Sequence, residues 1–200
     1  MTEPRFKRSI PMELVWGREH YDIVIASVRR AKTSVWIATA NLKDVHVEAR
    51  VGTRERARGR FSSLFEELGE RARQGVEIRI LSAGPPSRAL TARLATKTAA
   101  RAVEVRRCVR LHMKMIAVDG TMLYLGSANF TGAGLGAKGD GRRNFEAGIV
   151  TSDDVLLDRM QQAFEGIWSG GECAGCRVRG ECPKPIDELV AAKARAAKRG

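Results

Sequence analysis

The 200-residue sequence has no apolar run that approaches the roughly 20 residues needed to cross a bilayer. Its first residues, MTEPRFKRSIPMELVW, lack the apolar segment and small-residue cleavage site of a secretory leader. We therefore expect a cytoplasmic protein without stable membrane association. Disulfides are rare in that compartment, so the four cysteines of the sequence need another explanation.

Acidic residues are too few to balance the basic ones: 35 Lys and Arg stand against 23 Asp and Glu, a formal net charge of +12. Such an excess favours a polyanionic partner, either nucleic acid or an anionic membrane. Residues 48–60 carry five of the arginines and few apolar residues. This segment is either a solvated loop or an arm that contacts phosphates through Arg54, Arg56 and Arg58.

Strand and helix patterns alternate along the chain. Strands are predicted over 34–39 and 76–82, around VEVRR, LHMKMIAVD and TMLYLGSAN, and at NFEAGIVT. Helices are predicted over 19–32, from Phe61 to about Gly75, over 87–100 and after Asp153 or Asp154. These patterns predict an α/β sandwich, with helices on both faces of a mixed β-sheet, as one domain over residues 1–170. Residues 171–200 differ in composition and form a Cys-rich segment with a basic tail.

The most informative stretch is HMK at 112–114, which the pattern places in a strand. Residues two apart in a strand face the same side, so we expect His112 and Lys114 to reach one ligand together. A neutral imidazole can attack phosphorus, and a nearby ammonium stabilises the charge on the phosphoryl oxygens. The pair therefore suits phosphodiester cleavage.

Two further polar side chains follow on the predicted partner strand. Ser127 and Asn129 are also two apart and would supply uncharged hydrogen-bonding groups. No carboxylate cluster that would hold Mg²⁺ stands out. The expected reaction therefore needs no metal ion or other cofactor for catalysis.

The complete spacing, H-x-K-x4-D-x6-G-S-x-N, resembles the HKD signature of the phospholipase D superfamily. The resemblance covers about residues 15–170 in element order. It implies that His112 is the nucleophile or the general acid and that Lys114 binds the phosphoryl group. Ser127 and Asn129 would complete the phosphate pocket.

The resemblance also assigns two carboxylates. Asp119 would be structural or would help to orient the site. Glu146 stands where many members of the superfamily place a carboxylate that orients the catalytic imidazole, which would fix its tautomer. A solvated strand residue is the alternative for Glu146.

The sequence departs from the superfamily pattern in the number of motifs. The chemistry needs one histidine to attack and another to protonate the leaving oxygen, yet this chain has one H-x-K. A single copy implies a homodimer in which two motifs meet at a two-fold axis. Small single-motif members of the superfamily are typically dimeric nucleases.

A glycine-rich run follows Asn129. It contains G-x-G-x-x-G, but no amphipathic helix comes after it, so a dinucleotide site is not supported. We interpret the run as a flexible loop at the rim of the site. Lys138, Arg142 and Arg143 would contact a nucleic-acid backbone from there.

Three cysteines, Cys173, Cys176 and Cys182, form the pattern C-x2-C-x5-C-P, which suits a metal better than a core. Cys108 is the only available fourth cysteine, and a buried small apolar residue is its alternative. A set of four cysteines fits a structural [4Fe–4S] cluster or a structural Zn²⁺ ion. The spacing is closer to that of certain cluster-binding exonucleases, a resemblance of spacing and not of fold.

The leading hypothesis is a homodimeric nuclease that cleaves DNA or RNA through a phosphohistidine. A phospholipid phosphodiesterase is the alternative with the same chemistry. A non-catalytic nucleic-acid-binding protein with the same fold is the alternative from another class.

Overall fold

A computed structural model describes residues 8–96 and 102–197. Its strands are β1 Glu13–Trp16, β2 Ser34–Thr39, β3 His46–Glu48, β4 Phe61–Ser63, β5 Glu77–Ser82, β6 Glu104–Arg107, β7 Met115–Val118, β8 Met122–Gly126 and β9 Ala147–Thr151. Seven of them form one sheet in the order β1-β9-β8-β7-β2-β5-β6. The pairs β2-β5 and β5-β6 are parallel and the other pairs are antiparallel, while β3 and β4 pair separately.

The helices of the described ranges lie between and after these strands. They are α1 Ala26–Arg30, α2 Arg54–Ala57, α3 Leu64–Arg73, α4 Arg88–Thr96, α5 Asp154–Trp168 and α6 Ile186–Ala197. A π-helical turn, His20–Ile25, runs directly into α1. None of the helices in this part of the chain has the length and apolar character that a membrane crossing requires.

Successive side chains of the central strands face opposite sides of the sheet and so contribute to two hydrophobic cores. Ile116 and Val118 of β7 face one core, whereas Met115 and Ala117 face the other. The first core includes buried residues of α1, α3 and α4, and the second those of α5 together with Ile186 of α6. The predicted α/β sandwich, with helices on both faces of a mixed sheet, is confirmed.

Several element bounds differ from the sequence prediction. The helix predicted from Phe61 begins at Leu64, because the Ser63 hydroxyl accepts a hydrogen bond from the Glu66 amide at 3.2 Å and caps it there. Phe61 itself lies in β4. The predicted strand through HMK is shorter and begins only at Met115. The part of the predicted helix 87–100 beyond Thr96 lies outside the described residues.

The C-terminal segment packs against the sheet domain. Ile186 is buried in the second core, and the Lys193 ammonium donates a hydrogen bond to the Glu104 carboxylate of β6 at 2.5 Å. The two predicted parts, residues 1–170 and 171–200, are therefore in contact. Their separate roles, catalysis and metal binding, stay a prediction.

Asp119 fixes the turn between β7 and β8 to the start of β2. Its carboxylate accepts hydrogen bonds from the amides of Lys32, Thr33 and Ser34, at 2.7–3.0 Å. Partial burial acts to raise the pKa of Asp119, but these amide donors outweigh it and hold the pKa below its usual value. Asp119 has a φ of 54°, a backbone conformation that Asp and Asn tolerate better than other residues with a side chain.

Asp119→Asn keeps the backbone preference and removes the charge. We expect it to lower the free energy of unfolding by about 1–2 kcal/mol at neutral pH, measured by urea denaturation. Because the folded-state pKa is depressed, the carboxylate stabilises the fold above about pH 4 and loses this effect as pH falls through the folded-state pKa. The deficit of the variant should therefore shrink in acid. Asp158→Asn, on the exposed face of α5, is the matched control and should change little.

Candidate active site

One edge of the sheet carries the predicted catalytic residues, and the strand register explains why. Met115, the first residue of β7, pairs with Ala38 near the end of β2 and with Leu125 near the end of β8. Gly126 pairs with Gly148 near the start of β9. Residues just before β7 and β9 and just after β8 therefore meet at this edge, where the carboxyl end of β2 also lies.

His112 and Lys114 lie in the segment that leads into β7, past the ends of the neighbouring strands. Strand alternation is therefore not what brings them together, but they do meet. The Lys114 ammonium lies 3.1 Å from Nε2 and 3.3 Å from Nδ1 of His112, and donates to the His112 carbonyl oxygen at 2.9 Å. The His112 side chain is exposed and accessible to a substrate.

Ser127 and Glu146 form a second pair at the same edge. The Ser127 hydroxyl donates to the Glu146 carboxylate and accepts from the Ala147 amide at 3.1 Å. The Asn144 side-chain amide donates to the other Glu146 oxygen at 3.1 Å. Within the described ranges, the Glu146 carboxylate thus accepts hydrogen bonds from Ser127 and Asn144, and no imidazole is among its donors. Orientation of His112 by Glu146 stays a prediction.

Asn129 joins the segment after β8 to the end of β2. Its Oδ1 accepts from the amides of Ala40 at 3.1 Å and Asn41 at 3.0 Å. The Thr39 hydroxyl lies 3.3 Å from this oxygen and has its shorter contact, 2.9 Å, with the Asn41 carbonyl oxygen. Two amide donors occupy the Asn129 oxygen, so the side-chain NH₂ is the group that Asn129 can offer to a phosphate. Asp119 stands at the other end of β7, roughly 15 Å along the chain from Lys114. Of its two predicted roles, the geometry supports the structural one.

A buried pair beneath this edge was not recognised from the sequence. The His20 ring nitrogen Nε2 lies 3.1 Å from the Tyr124 hydroxyl, and Nδ1 lies 3.2 Å from the Gly17 carbonyl oxygen. Both side chains are fully buried. A Cβ at Gly126 or Gly148 would lie 2.4 Å from an atom of the Tyr124 side chain. The Tyr124 side chain thus requires a glycine at the start of the GSAN motif. The sequence feature that could have indicated this buried pair is a tyrosine two residues before that glycine.

Burial keeps both members of this pair uncharged. It lowers the pKa of His20, although the Gly17 carbonyl and the Glu146 charge act to raise it. Burial also raises the pKa of Tyr124 to about 12, and the Glu146 charge adds to the increase, while the Ala128 amide opposes it. The charge of Glu146 therefore acts on the pKa of both His20 and Tyr124.

The glycine-rich run differs from the predicted flexible loop. Leu135 is fully buried, and a Cβ at Gly134 would lie 2.6 Å from the Asn129 carbonyl oxygen. Gly136 has a φ of +68° and packs equally closely on Gly17. The run is therefore a packed support for the segment that carries Asn129, and only its end, from Lys138, is exposed.

The predicted phosphate-contacting cations fall into two groups. Lys138 and Arg142 line a cavity of about 300 Å³ together with His46, Phe61 and Asp44. Arg143 forms an ion pair with Asp140 and donates to the Lys138 carbonyl oxygen at 3.2 Å.

The other group lies on and just after α2. Arg54 and Arg58 are exposed, whereas Arg56 forms an ion pair with Glu48. Arg54 and Arg58, together with Lys138 and Arg142, therefore offer the more accessible positive charge.

All four cysteines are free thiols and line one cavity of about 30 Å³. Cys108 comes from the segment after β6, and Cys173, Cys176 and Cys182 come from the segment between α5 and α6. Within residues 8–96 and 102–197, no group of three or more His, Cys, Asp or Glu side chains is already arranged to hold a metal ion.

The fold and this edge define a phospholipase D-like α/β domain, with one His-x-Lys pair beside a serine and a carboxylate. A family model described as "Cardiolipin synthase, PLD-like domain" matches residues 24–168, and the chain belongs to this family. Its curated relatives include proteins named 5'-3' exonuclease PLD3 from Bos taurus and Rattus norvegicus. They are 30% identical over 159 residues and 29% identical over 157 residues, and each match covers 76% of this chain. The chain spans 29% of the length of each of these relatives.

Solved structures agree on the fold. Nuc from Salmonella typhimurium superposes with a TM-score of 0.56 at 19% identity, covering 80% of this chain and 95% of that one. NucT from Helicobacter pylori superposes with a TM-score of 0.51 at 15% identity, covering 78% of this chain and 94% of that one.

His20 should govern part of the pH dependence of stability. An unfolded histidine titrates near pH 6.5, whereas the folded protein resists protonation of His20. The unfolded chain therefore binds the proton more readily, and stability should fall as pH drops from about 7.5 to 5.5. Urea midpoints measured across this range should decline less steeply in His20→Gln. His46→Gln changes an exposed histidine and is the control; an equal slope in His20→Gln and the parent would contradict the assignment.

Proposed function

We propose that this protein is a metal-independent phosphodiesterase that cleaves nucleic acid through a phosphohistidine on His112. The observation that carries the proposal is the contact between Lys114 and an exposed His112. The contact places a nitrogen nucleophile and a cation where both can reach one phosphate. A ring nitrogen then attacks phosphorus, the bond to the leaving oxygen breaks, and that oxygen takes a proton from an acid. Water hydrolyses the N–P bond in a second step.

The remaining groups at the edge suit a phosphodiester. When substrate enters, Lys114 moves its ammonium from the imidazole to the phosphoryl oxygens. The Asn129 side-chain NH₂ lies on the same edge and can donate to those oxygens. The single Ser127 hydroxyl hydrogen is donated to Glu146, so Ser127 contributes only after it turns from that carboxylate to the substrate.

Nucleic acid is the favoured substrate class. The net charge is +12, and the cavity lined by Lys138 and Arg142 also offers the aromatic face of Phe61, on which a base can stack. The name of the curated relatives, 5'-3' exonuclease, points in the same direction.

Cleavage should persist in EDTA and depend on His112. Labelled single- and double-stranded DNA and RNA, and phospholipid vesicles, are incubated with the protein and with His112→Ala, which should lose about 10²-fold or more of the activity. Asp158→Asn, on the exposed face of α5, is the control and should retain cleavage. A requirement for Mg²⁺ would overturn the mechanism, turnover of vesicles alone would transfer it to phospholipids, and nucleic-acid binding without cleavage would indicate a scaffold.

A trapping experiment tests the intermediate directly. Brief reaction with a labelled oligonucleotide, followed by denaturation, should leave a covalent adduct that survives alkali and is lost in acid. The adduct should be missing from His112→Ala.

We further propose that the active site is shared by two copies of this chain. Protonation of the leaving oxygen needs a second acid, and the other two histidines are placed elsewhere in the described structure: His20 is buried against Tyr124, and His46 lines the neighbouring cavity. A second His112 related by a two-fold axis would supply the acid.

An apolar patch beside the site supports this arrangement. Leu14 and Trp16 of the edge strand β1 are 67% and 54% exposed, and Phe145, next to Glu146, is 92% exposed. The Trp16 and Phe145 rings stack with centroids 6.5 Å apart. Covering this patch with the same patch of a second chain would bring the two edges together.

The shared site predicts a nonlinear loss of activity on subunit mixing. If both His112 residues are needed, equal amounts of parent and His112→Ala subunits, equilibrated together, should retain about one quarter of the parent activity; independent sites would retain about one half. Light scattering should give the mass of a dimer.

Substitutions test the proposed contact surface. Trp16→Lys should give an inactive monomer, while Val155→Lys, at an exposed apolar position on α5, should stay dimeric. An active monomer would refute the shared site.

A further inference from the structure

All four cysteines of the sequence converge on one place, although they come from distant parts of the chain. Cys108 is fixed in a turn between β6 and the His112 segment. Its amide donates to the Ser82 carbonyl oxygen at 3.0 Å, and its own carbonyl accepts from the Leu111 amide at 2.9 Å. Cysteines that served only as small apolar residues would be expected at separate positions in the cores.

The other three cysteines share a face because of the turns that carry them. The amides of Cys173, Cys176, Arg179 and Cys182 each donate to the carbonyl three residues earlier, at 3.0–3.2 Å. These successive turns fold the segment back on itself, and the side chains of Cys173, Cys176 and Cys182 all line the same cavity.

The surroundings of the thiols suit an anionic metal centre. Arg107 and Arg110 line the cavity beside Glu172 and an Arg179 that is paired with Asp187, and Ile167 and Ile186 contribute its apolar side. A centre with four thiolate ligands carries a net negative charge, which Arg107 and Arg110 can compensate. The apolar side limits access of water to the metal.

The segment is also held firmly at both ends. Gly170 has a φ of +85° and packs so closely on the start of α6 that a Cβ would lie 2.6 Å from the Asp187 amide nitrogen. The Arg179 guanidinium donates to both Asp187 carboxylate oxygens at 2.8 Å. The three cysteines are therefore presented to Cys108 by a braced loop.

We infer that Cys108, Cys173, Cys176 and Cys182 ligate a [4Fe–4S] cluster that pins the C-terminal segment to the strand entry carrying His112. The spacing favours a cluster over a single zinc ion: zinc sites usually pair two close cysteine couplets, whereas here a C-x2-C-x5-C triplet followed by proline stands with one remote cysteine. The four thiols line one cavity. No group among the described residues is already arranged to hold an ion, so binding requires the cysteine side chains to turn toward the metal.

The role of the cluster is positioning, because hydrolysis transfers no electron. Cys108 lies four residues before His112, and the two are connected through the Leu111 turn. Anchoring Cys108 therefore limits the freedom of the backbone that presents the nucleophile.

The metal content of the protein tests this inference. Protein purified without oxygen should be brown and contain about four iron and four acid-labile sulfide atoms per chain. After reduction with dithionite it should give an electron paramagnetic resonance signal of a reduced cluster. One zinc per chain without iron would overturn the cluster, and metal-free protein, with four titratable thiols or with disulfides, would overturn the whole site.

Variants separate the ligands from their surroundings. Cys108→Ser and Cys182→Ser should each lose most of the iron, whereas Glu172→Gln, which changes a lining residue without a thiol, should keep it. Full iron in Cys108→Ser would contradict ligation by four cysteines.

Ligation of the metal by the four cysteines does not depend on the proposed catalysis, whereas the positioning role rests on it. His112→Ala should lose cleavage and retain the parent iron content, so failure of one proposal leaves the other intact.

Discussion

The hydrogen bonds of the Asp119 carboxylate are the constraint on which the rest of the site depends. They tie the turn after β7 to the first residues of β2, and so fix the register in which Met115 pairs with Ala38. A slip of one residue would exchange the two faces of β7 between the cores and move the His112 segment along the edge. A residue at the far end of the strand therefore determines where His112 lies.

Many polar groups at the site edge already form hydrogen bonds or close contacts within the protein. The Asn129 oxygen closes the turn after β2, and the Tyr124 hydroxyl lies under the two glycines of β8 and β9. These bonds position the polar segments before a substrate arrives, which is the condition for electrostatic stabilisation without reorganisation. In the proposed reaction, the groups that act on the phosphodiester are His112, Lys114 and the Asn129 side-chain NH₂.

The second core supports the segments that carry the proposed metal centre and the proposed active site. Its helix α5 leads into the cysteine segment, and Ile186 seats the helix that follows. A metal centre there would join the C-terminal segment to the approach to β7, while the polar edge with its apolar border would be completed by a second chain. Both proposed surfaces would act on the same few residues around His112.

The sequence by itself determined the family, the sandwich and the identity of the His-x-Lys pair, because these depend on local spacing and periodicity. It also predicted that the three closely spaced cysteines suit a metal better than a core. Only the tertiary structure decided that Asp119 stands away from the edge, that Glu146 bonds to Ser127, and that the glycine run is packed, since each depends on register between distant strands. The buried His20–Tyr124 pair and the convergence of Cys108 with the C-terminal cysteines belong to the same group. They join residues far apart in sequence, and no local pattern specifies which of many distant partners a side chain will meet.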